Sequence, residues 1–390
     1  MKHIQIDRKR RLRDEPGTGH NRFHPDLPPI VTIEEGEEVV LDTRDGVDGQ
    51  LGPSTTETNI ASMEAGAVHP LTGPVFVKGA QPGDVLEVEF LDIVPQPHAF
   101  TAIVPGLGFL RDVFTTPFLV HWQIRDGWAT SPRLRGVRIP GAPFMGVSGV
   151  APSHAQLRAW TAREQALIDR GGLVFPPDVA GAVPSRGPAA TEGLRTLPPR
   201  ENGGNFDAKQ LTKGSKLLLP VAVEGGLFST GDGHFAQGDG EVCVTAVEMG
   251  ATVAVRFRVL KAAAGARAMR APRFSHAGYF APPEWAAPRG FIAAMGMPIR
   301  DDGVNEGENL TLACRNALLN MIDPSRRSCR RPSSPADVEW GVTPRRCVRR
   351  PPPARRSYSD ARRVANGAVH PTMAPWARTM SRVARLNSGK

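Results

Sequence analysis

The stretch that decides the fold begins with IVTIEEGEEVVLDTRDG, residues 30–46, and continues with GPVFVKGAQPGDVLEVEFLDIV, residues 73–94. Short β-branched runs alternate here with Gly, Pro and Asp turns, a pattern typical of antiparallel strands. In EVVLDT and VLEVEFLDI the apolar side chains alternate with polar ones, so we expect one face of each strand to pack in a core and the other to meet water.

A second β-rich block, residues 214–260, contains SKLLLPVAVEGGLFST, GEVCVTAVEM and ATVAVRFRVL, which read as a meander of hairpins. A helix is predicted over about residues 156–169 with Ser153 as its N-cap, and another within ENLTLACRNALLNMID. The loop of residues 171–199, rich in Gly, Pro and Ala, is either a lid or a flexible crossing. The prediction is a mainly β protein, an antiparallel sandwich or barrel with a few helices, with β-rich blocks at about 29–150 and 200–290.

The net charge of +9 in 390 residues is unevenly distributed. Residues 324–390 hold 16 Lys plus Arg against 3 Asp plus Glu, which leaves 32 basic and 36 acidic residues in 1–323. The body is therefore mildly acidic, and a nucleic-acid-binding patch on it is unsupported. The tail has no sustained period of 2 or 3.6 and is rich in Arg and Pro, so it cannot bury much apolar surface.

No window is long and apolar enough for a membrane span, and no apolar segment follows the basic run near the N-terminus. The four cysteines form no close-spaced framework. We therefore expect a cytoplasmic protein in a reducing compartment.

The densest group of candidate site residues is FSTGDGHFAQGDGEVCVTAVE, residues 228–248. If residues 231–237 are extended, Asp232 and His234 project from one face and could bind one metal. A two-residue turn after Gly238 would keep Glu241 on that face, whereas a three-residue turn would reverse it. Carboxylate and imidazole ligands suit a catalytic zinc or a similar divalent ion. The alternative is that the aspartates make turns and His234 is a hydrogen-bonded, half-buried histidine.

Two further clusters carry polar side chains. Asp45 or Asp48 in TRDGVDGQ, with His69, could complete a metal shell or act as general base, or the aspartates could only make turns. In PPRENGGNFDAKQLTKGS, residues 198–215, Asn amides and exposed backbone N–H groups could bind a carboxamide or stabilise an oxyanion, or form only a well-bonded loop. The polar residues that crowd the Gly-Gly turn there are Glu201, Asn202, Asn205, Asp207 and Lys209.

Cys243 is the rival nucleophile. It lies in the apolar run VCVTAV, where a strand with a small buried residue is predicted. The sequence contains no Gly-x-Ser-x-Gly elbow, phosphate loop or dinucleotide fingerprint.

Over about residues 1–323 the chain resembles the acetamidase/formamidase family. The matching segments are HPLTGPVFVKGAQPGDVLEVE, PFMGVSGVAPS, PPRENGGNFDAKQLTKGS, LFSTGDGHFAQGDGEVC and GMPIRDDGVNEGENLTLACRNALLNMID. The resemblance implies a β-rich sandwich-like fold and a homo-oligomeric enzyme. It also implies hydrolysis of formamide, acetamide or related short amides to ammonia and a carboxylate.

Because one segment matches a family signature, the resemblance favours the first cluster as the site. The metal ligands are then Asp232, His234 and Glu241. The catalytic candidates are Glu241, Asp45 and Glu201. The substrate-binding candidates are Asn202, Asn205 and His69. Our hypothesis is water activated by a divalent metal, with zinc preferred. The alternatives are a noncatalytic β-sandwich that binds a small ligand, and a nucleic-acid-associated protein acting through its tail.

The likeness stops at Asp323, in the middle of a predicted helix that Pro324 breaks. The Arg, Pro and Ser bias that follows resembles a GC-rich coding region read in another frame. We expect that a frameshift replaces the family's C-terminal segment, which could leave this chain inactive. A natural basic tail is the alternative.

Overall fold

The computed structural model describes residues 1–238, 240–262, 269–278, 296–306 and 309–322, so the predicted tail and part of the second β-rich block lie outside the described residues. The strands are β1 Lys2–Ile4, β2 Gly19–His20, β3 Arg22–Phe23, β4 Val31–Ile33, β5 Glu38–Thr43, β6 Leu71–Val77, β7 Val85–Ile103, β8 Phe118–Arg125, β9 Trp128–Thr130, β10 Arg138–Pro140, β11 Phe144–Gly149, β12 Leu194–Arg195, β13 Gly203–Asn205, β14 Ser215–Pro220, β15 Phe228–His234, β16 Glu248–Leu260 and β17 Arg273–His276. The helices are α1 Glu57–Ala61, α2 His154–Ile168, α3 Pro188–Thr191 and α4 Leu310–Ile322.

All but two of these strands, β3 and β12, belong to one branched sheet whose longest path runs β10-β9-β8-β7-β16-β15-β11-β13. Pairing is antiparallel except between β1 and β5 and between β4 and β6. The prediction of a mainly β, antiparallel fold is confirmed; within the described ranges the sheet does not close into a barrel. None of the described helices is long and apolar enough to cross a bilayer.

The main core lies where the long strands β7 and β16 pair. Val88 and Phe90 of β7 stand opposite Phe257 and Val255 of β16, and all four are fully buried. Each such side chain contributes roughly 1.5–3 kcal/mol on burial. The predicted alternation is confirmed here, since Glu87 and Glu89 on the other face of β7 are partly exposed.

Helix α2 packs beside this sheet and begins where it was predicted. The Ser153 hydroxyl accepts the Gln156 N–H at 3.2 Å and the Gln156 side chain accepts the Ser153 N–H at 2.8 Å, which is a capping box. Leu157 and Trp160 pack in a second small core that includes Val147 of β11.

The loop of residues 171–199 is attached to the body. Arg22, fully buried, donates to the carbonyls of Asp178 and Ala180, and Asn21 exchanges hydrogen bonds with Gly181 and Val183. Of the two predicted possibilities, a flexible crossing does not describe these residues.

One predicted strand is wrong. In GEVCVTAVEM only the part from Glu248 onward is a strand, and residues 241–247 form turns. Gly238 bridges Gly240, which corresponds to neither the two-residue nor the three-residue turn considered for this segment. Val244 has a φ of +78° and the Thr245 hydroxyl bonds to the backbone of Ala102, so these residues do not continue a ladder.

Candidate active site

Six ionisable side chains from separate parts of the chain meet at one end of β15. Asp232 and His234 lie on β15 itself, Glu248 opens β16 opposite His234, and Glu241 comes from the irregular segment between these strands. The other two are His69, which precedes β6, and Asp207, which follows β13.

His234 is the centre of the cluster. Its Nε2 lies 3.1 Å from Glu248 Oε2, 3.6 Å from Asp232 Oδ1 and 3.8 Å from Glu241 Oε1. Its Nδ1 lies 4.0 Å from Asp207 Oδ1, while His69 Nε2 lies 3.8 Å from Asp232 Oδ2. The first three contacts place Asp232, His234 and Glu241 together, as the sequence pattern suggested.

The route to this arrangement differs from the predicted one. Asp232 has a φ of +56°, so the strand is not regularly extended at that residue. Phe144 of β11 stands opposite His234, and the two rings meet edge to face at 4.9 Å. This edge-to-face contact helps to fix the orientation of the imidazole plane.

Two glycines make room for the cluster. A Cβ on Gly146 would lie 2.6 Å from His234 Cε1, 2.7 Å from Asp207 Oδ1 and 2.8 Å from Asp232 Oδ2. A Cβ on Gly46 would lie 2.1 Å from Asp232 Oδ1. Both oxygens of the Asp232 carboxylate are thus approached by bare backbone, and any larger residue would fill the space between the ionisable groups.

The cluster holds protons more strongly than isolated side chains would. Burial raises the pKa of Glu248 to about 8, and burial also raises the pKa values of Glu241 and Asp207, the latter with help from the Glu241 carboxylate. Burial would lower the pKa of His234, but the carboxylates of Glu248, Asp232 and Glu241 outweigh it and hold that pKa well above its usual range.

The two remaining groups shift in the opposite direction. Burial would raise the pKa of Asp232, but the imidazoles of His69 and His234 hold it well below its usual range. Burial lowers the pKa of His69, which keeps that imidazole neutral near pH 7.

The residues can hold a cation in two overlapping ways. Ligand atoms of Asp232, His234 and Glu248 lie within 4.8 Å of one another, as do those of Asp207, His234 and Glu241. The buried Nδ1 atoms of both imidazoles and Oδ1 of Asp207 have no hydrogen-bond partner. Unpaired buried polar atoms are costly, so this donor set fits a bound ion or ligand.

Asp45 lies beside the cluster, next to Gly46. Its Oδ1 accepts the N–H groups of Val47 and Gly49 at 3.0 and 3.1 Å, which makes it a turn-forming residue. Burial raises the pKa of Asp45 to about 6, and the neighbouring carboxylates of Asp48 and Asp232 add to the effect. Asp48 is directed elsewhere, to the Leu12 N–H and Arg11.

The structure does not bring Glu201, Asn202 or Asn205 into contact with His234. Glu201 makes a bidentate ion pair with Arg163 at the surface. The Asn202 amide donates to the Val150 carbonyl at 2.6 Å, and Asn205 pairs with Val147 on the edge of β11. The placements of Glu201 and Asn202 correspond to the bonded-loop alternative for this segment, whereas the buried Oδ1 of Asn205 has no hydrogen-bond partner.

Two residues of the cluster, Glu248 and Asp207, were not assigned from the sequence. Glu248 was visible only as an acidic residue at the start of a strand, and Asp207 as one of several polar residues after a Gly-Gly turn. The N–H groups of Phe206 and Asp207 both donate to the Gly146 carbonyl, which draws Asp207 to the site. Neither the approach of Glu248 to His234 nor that of Asp207 to the site leaves a local signal in the sequence.

Cys243 lies in a turn and not in a strand. Its thiol faces the Thr245 oxygens at 3.4 and 3.6 Å, and burial raises its pKa. A raised pKa disfavours the thiolate that a nucleophile needs.

A separate group at the start of α2 comprises His24, Asp26 and His154. His24 Nδ1 accepts the Asp26 N–H at 3.1 Å and its Nε2 faces Glu192 at 3.3 Å, so both ring nitrogens are engaged. This group is a hydrogen-bonded surface cluster and adds nothing to the buried site.

The fold and site define a mainly antiparallel β protein with a buried histidine surrounded by carboxylates, a residue set that suits acid–base or metal-assisted hydrolysis. Residues 5–327 match the model of the acetamidase/formamidase family, and the chain belongs to that family.

Three relatives illustrate the similarity. The chain is 34% identical to an acetamidase of Mycolicibacterium smegmatis, over 82% of this chain and 84% of that protein. It is 33% identical to a formamidase of Methylophilus methylotrophus, over 82% of each. The solved structure of a gamma lactamase from Delftia acidovorans superposes with a TM-score of 0.75 at 32% identity, covering 83% of this chain and 82% of that one.

Proposed function

We propose that this chain hydrolyses short linear amides such as formamide and acetamide to ammonia and a carboxylate. The observation that carries the proposal is the buried cluster around His234, in a chain about one-third identical to an acetamidase and a formamidase. Amide hydrolysis needs an activated water, a stabilised oxyanion and a proton for the departing nitrogen.

A divalent cation suits this cluster on grounds of charge. Four carboxylates surround two imidazoles, so the buried group is negative unless protons or a cation compensate. We infer that Asp232, His234 and Glu248, the three most buried of these side chains, hold the ion, and the mixed donors favour zinc. When bound, such an ion lowers the pKa of water and polarises a carbonyl group.

The remaining residues have distinct roles in the proposal. Asp207 and Glu241, whose pKa values are raised by burial, are the carboxyl groups that donate a proton to the departing nitrogen. The neutral His69 accepts a proton from the attacking water. Gly146, which has no side chain, lets the backbone of β11 approach His234, Asp207 and Asp232 closely.

The test is ammonia release from formamide and acetamide, before and after chelation and zinc readdition. We expect His234→Ala to reduce the rate by at least about 100-fold, because it removes the centre of the cluster. His154→Ala is the matched control, since that imidazole is exposed and contacts Asp26 and the His24 ring, which lie outside the His234 cluster. A folded chain that releases no ammonia from any short amide contradicts the proposal; acetamide binding without release would support a noncatalytic binding protein instead.

Two further expectations accompany this function. The free thiols of Cys243 and Cys314 suit a reducing compartment such as the cytoplasm. The homo-oligomer implied by the resemblance stays a prediction, which light scattering would test.

A further inference from the structure

The irregular segment of residues 241–247 connects two carboxylates of the site, Glu241 and Glu248. Because most of it is not in a ladder, its polar backbone groups need other partners. Val247 exchanges hydrogen bonds with the backbone of Phe235 and Ala236, and three further contacts, one of them through the Thr245 side chain, attach the rest of the segment. The Thr101 hydroxyl donates to the Ala246 carbonyl, the Thr245 hydroxyl bonds the backbone of Ala102, and the Phe109 N–H donates to the Val242 carbonyl.

Ala246 is the link between this attachment and the site. Its N–H donates to Glu248 Oε1 at 2.8 Å, while its carbonyl accepts the Thr101 hydroxyl at 2.6 Å. The other oxygen of the same carboxylate, Oε2, lies 3.1 Å from His234 Nε2. Since one oxygen of Glu248 is held by Ala246, the orientation of Ala246 decides where the second oxygen points.

The Thr101 hydroxyl is itself directed by a further contact. Trp122 Nε1, whose indole is buried, donates to Thr101 Oγ1 at 3.0 Å. The Thr101 oxygen thus accepts one hydrogen bond from Trp122 and donates its single proton to the Ala246 carbonyl. Four contacts in series therefore lead from Trp122 through Thr101, Ala246 and Glu248 to His234.

We propose that Thr101 is a positioning residue for the reaction, whose hydroxyl orients Glu248 toward His234 through the backbone of Ala246. This inference rests on the proposed amide hydrolysis. Thr101 lies on β7, touches none of the six ionisable groups directly, and belongs to no segment that the sequence pattern singled out.

Two substitutions separate the hydroxyl from the shape of the side chain. Thr101→Val keeps the shape and removes the donor, and we expect it to lower kcat by about 10- to 100-fold with KM changed by less than about threefold. Thr101→Ser keeps the donor and loses a methyl group, and we expect kcat within about threefold of the parent. If Thr101 only packs, the order reverses: Thr101→Val resembles the parent and Thr101→Ser is the weaker enzyme.

Thr72→Val is the matched control for loss of a buried hydroxyl. Thr72 donates at the same 2.6 Å to a backbone carbonyl, that of Asp42, without contacting Glu248 or Ala246. We expect it to lower the melting temperature while kcat stays close to the parent value. If Thr101→Val does not fold, Thr101→Ala takes its place, with the same expected loss of kcat.

A second measurement does not depend on activity. The imidazole ¹⁵N resonances of His234 should shift in metal-free Thr101→Val and not in Thr72→Val or Thr101→Ser. An unchanged His234 spectrum in folded Thr101→Val overturns the inference even if the parent is an active amidase. A His234 shift in Thr101→Val, found when the parent chain has no amidase activity, would support the positioning role of Thr101. It would contradict only the proposed function.

Discussion

Gly146 provides the sharpest test at the scale of a single residue. A methyl group there would lie within 2.8 Å of His234, Asp207 and Asp232, closer than any normal contact. We expect Gly146→Ala to reduce ammonia release by at least about 100-fold, because the side chains must move apart. Overpacking should also cost about 1–3 kcal/mol of unfolding free energy.

Gly52→Ala is the control for this change, because a Cβ at Gly52 meets no atom within 4 Å and its φ is not positive. It should leave both the rate and the unfolding free energy close to those of the parent. A Gly146→Ala protein with parental activity would show that the close packing of His234, Asp207 and Asp232 is not needed for the reaction.

The same residues predict how stability depends on pH. Between the ordinary pKa of a glutamate and the value of about 8 for Glu248, the folded metal-free protein keeps a proton that the unfolded chain has released. Rising pH therefore lowers the unfolding free energy in this window. The raised pKa of His234 changes the unfolding free energy in the same direction, since the stability that protonated His234 contributes is lost as the pH rises through its pKa in the folded protein.

Urea unfolding in the presence of a chelator checks this expectation. The metal-free protein should be less stable at pH 8 than at pH 5.5, and Glu248→Gln should flatten the slope. Zinc added at pH 8 should raise the melting temperature, since binding to the folded state stabilises it. Equal stability at both pH values would contradict the assigned directions. The lowered pKa of Asp232 affects the unfolding free energy only in more acidic solution, below the range of this comparison.

At the scale of elements, α2 allows a comparison between two adjacent glutamate–arginine pairs. Glu164 makes a two-point ion pair with Arg200, with both side chains buried, whereas the pair between Glu201 and Arg163 is exposed. We expect Glu164→Ala to cost about 3–5 kcal/mol, because it leaves a buried charge unpaired. Glu201→Ala should cost less than about 1 kcal/mol.

Glu201→Ala also tests the catalytic role that the resemblance suggested. Its ammonia release should match the parent, because the side chain faces Arg163 and not His234. A loss of more than about tenfold in that folded variant would restore Glu201 as a catalytic candidate.

The elements that could be predicted are those whose cause is local. Strand β5 coincides with EVVLDT, and α2 begins after Ser153, because alternation and capping act over a few residues. The failure at residues 241–247 has a distant cause, since Thr101, Ala102 and Phe109 supply the partners of that segment. An apolar, β-branched run was mistaken for a strand because nothing within it reports those contacts.

At the scale of the whole molecule, the site is an assembly of distant segments. Asp232 and His234 were expected together from their two-residue spacing, and they do meet, although Asp232 has a φ of +56° and is not in extended backbone. Glu248 required the pairing of β15 with β16, and Asp207 required the approach of residues 206–207 to Gly146. Part of the residue set could thus be predicted, but two of its four carboxylates depend on strand register or on a distant backbone contact that one sequence does not reveal.

The distribution of charge leads to a prediction for the complete chain. Residues 324–390 carry 16 basic against 3 acidic side chains, whereas residues 1–323 carry 32 against 36. We expect the full chain to bind a heparin column or duplex DNA with an affinity that falls steeply with salt, and a chain truncated after Asp323 to lose that binding.

The matched control keeps the length of the chain and removes part of its charge, by changing Arg326, Arg327, Arg330 and Arg331 together to Gln. The salt concentration at which it elutes from heparin should lie between those of the full and truncated chains. Fewer charged side chains release fewer counterions on binding. Ammonia release by all three proteins then separates the two properties, since every residue of the His234 cluster precedes Asp323. Retained heparin binding in the truncated chain would place the basic surface on the mildly acidic body, and would contradict a tail-borne interaction.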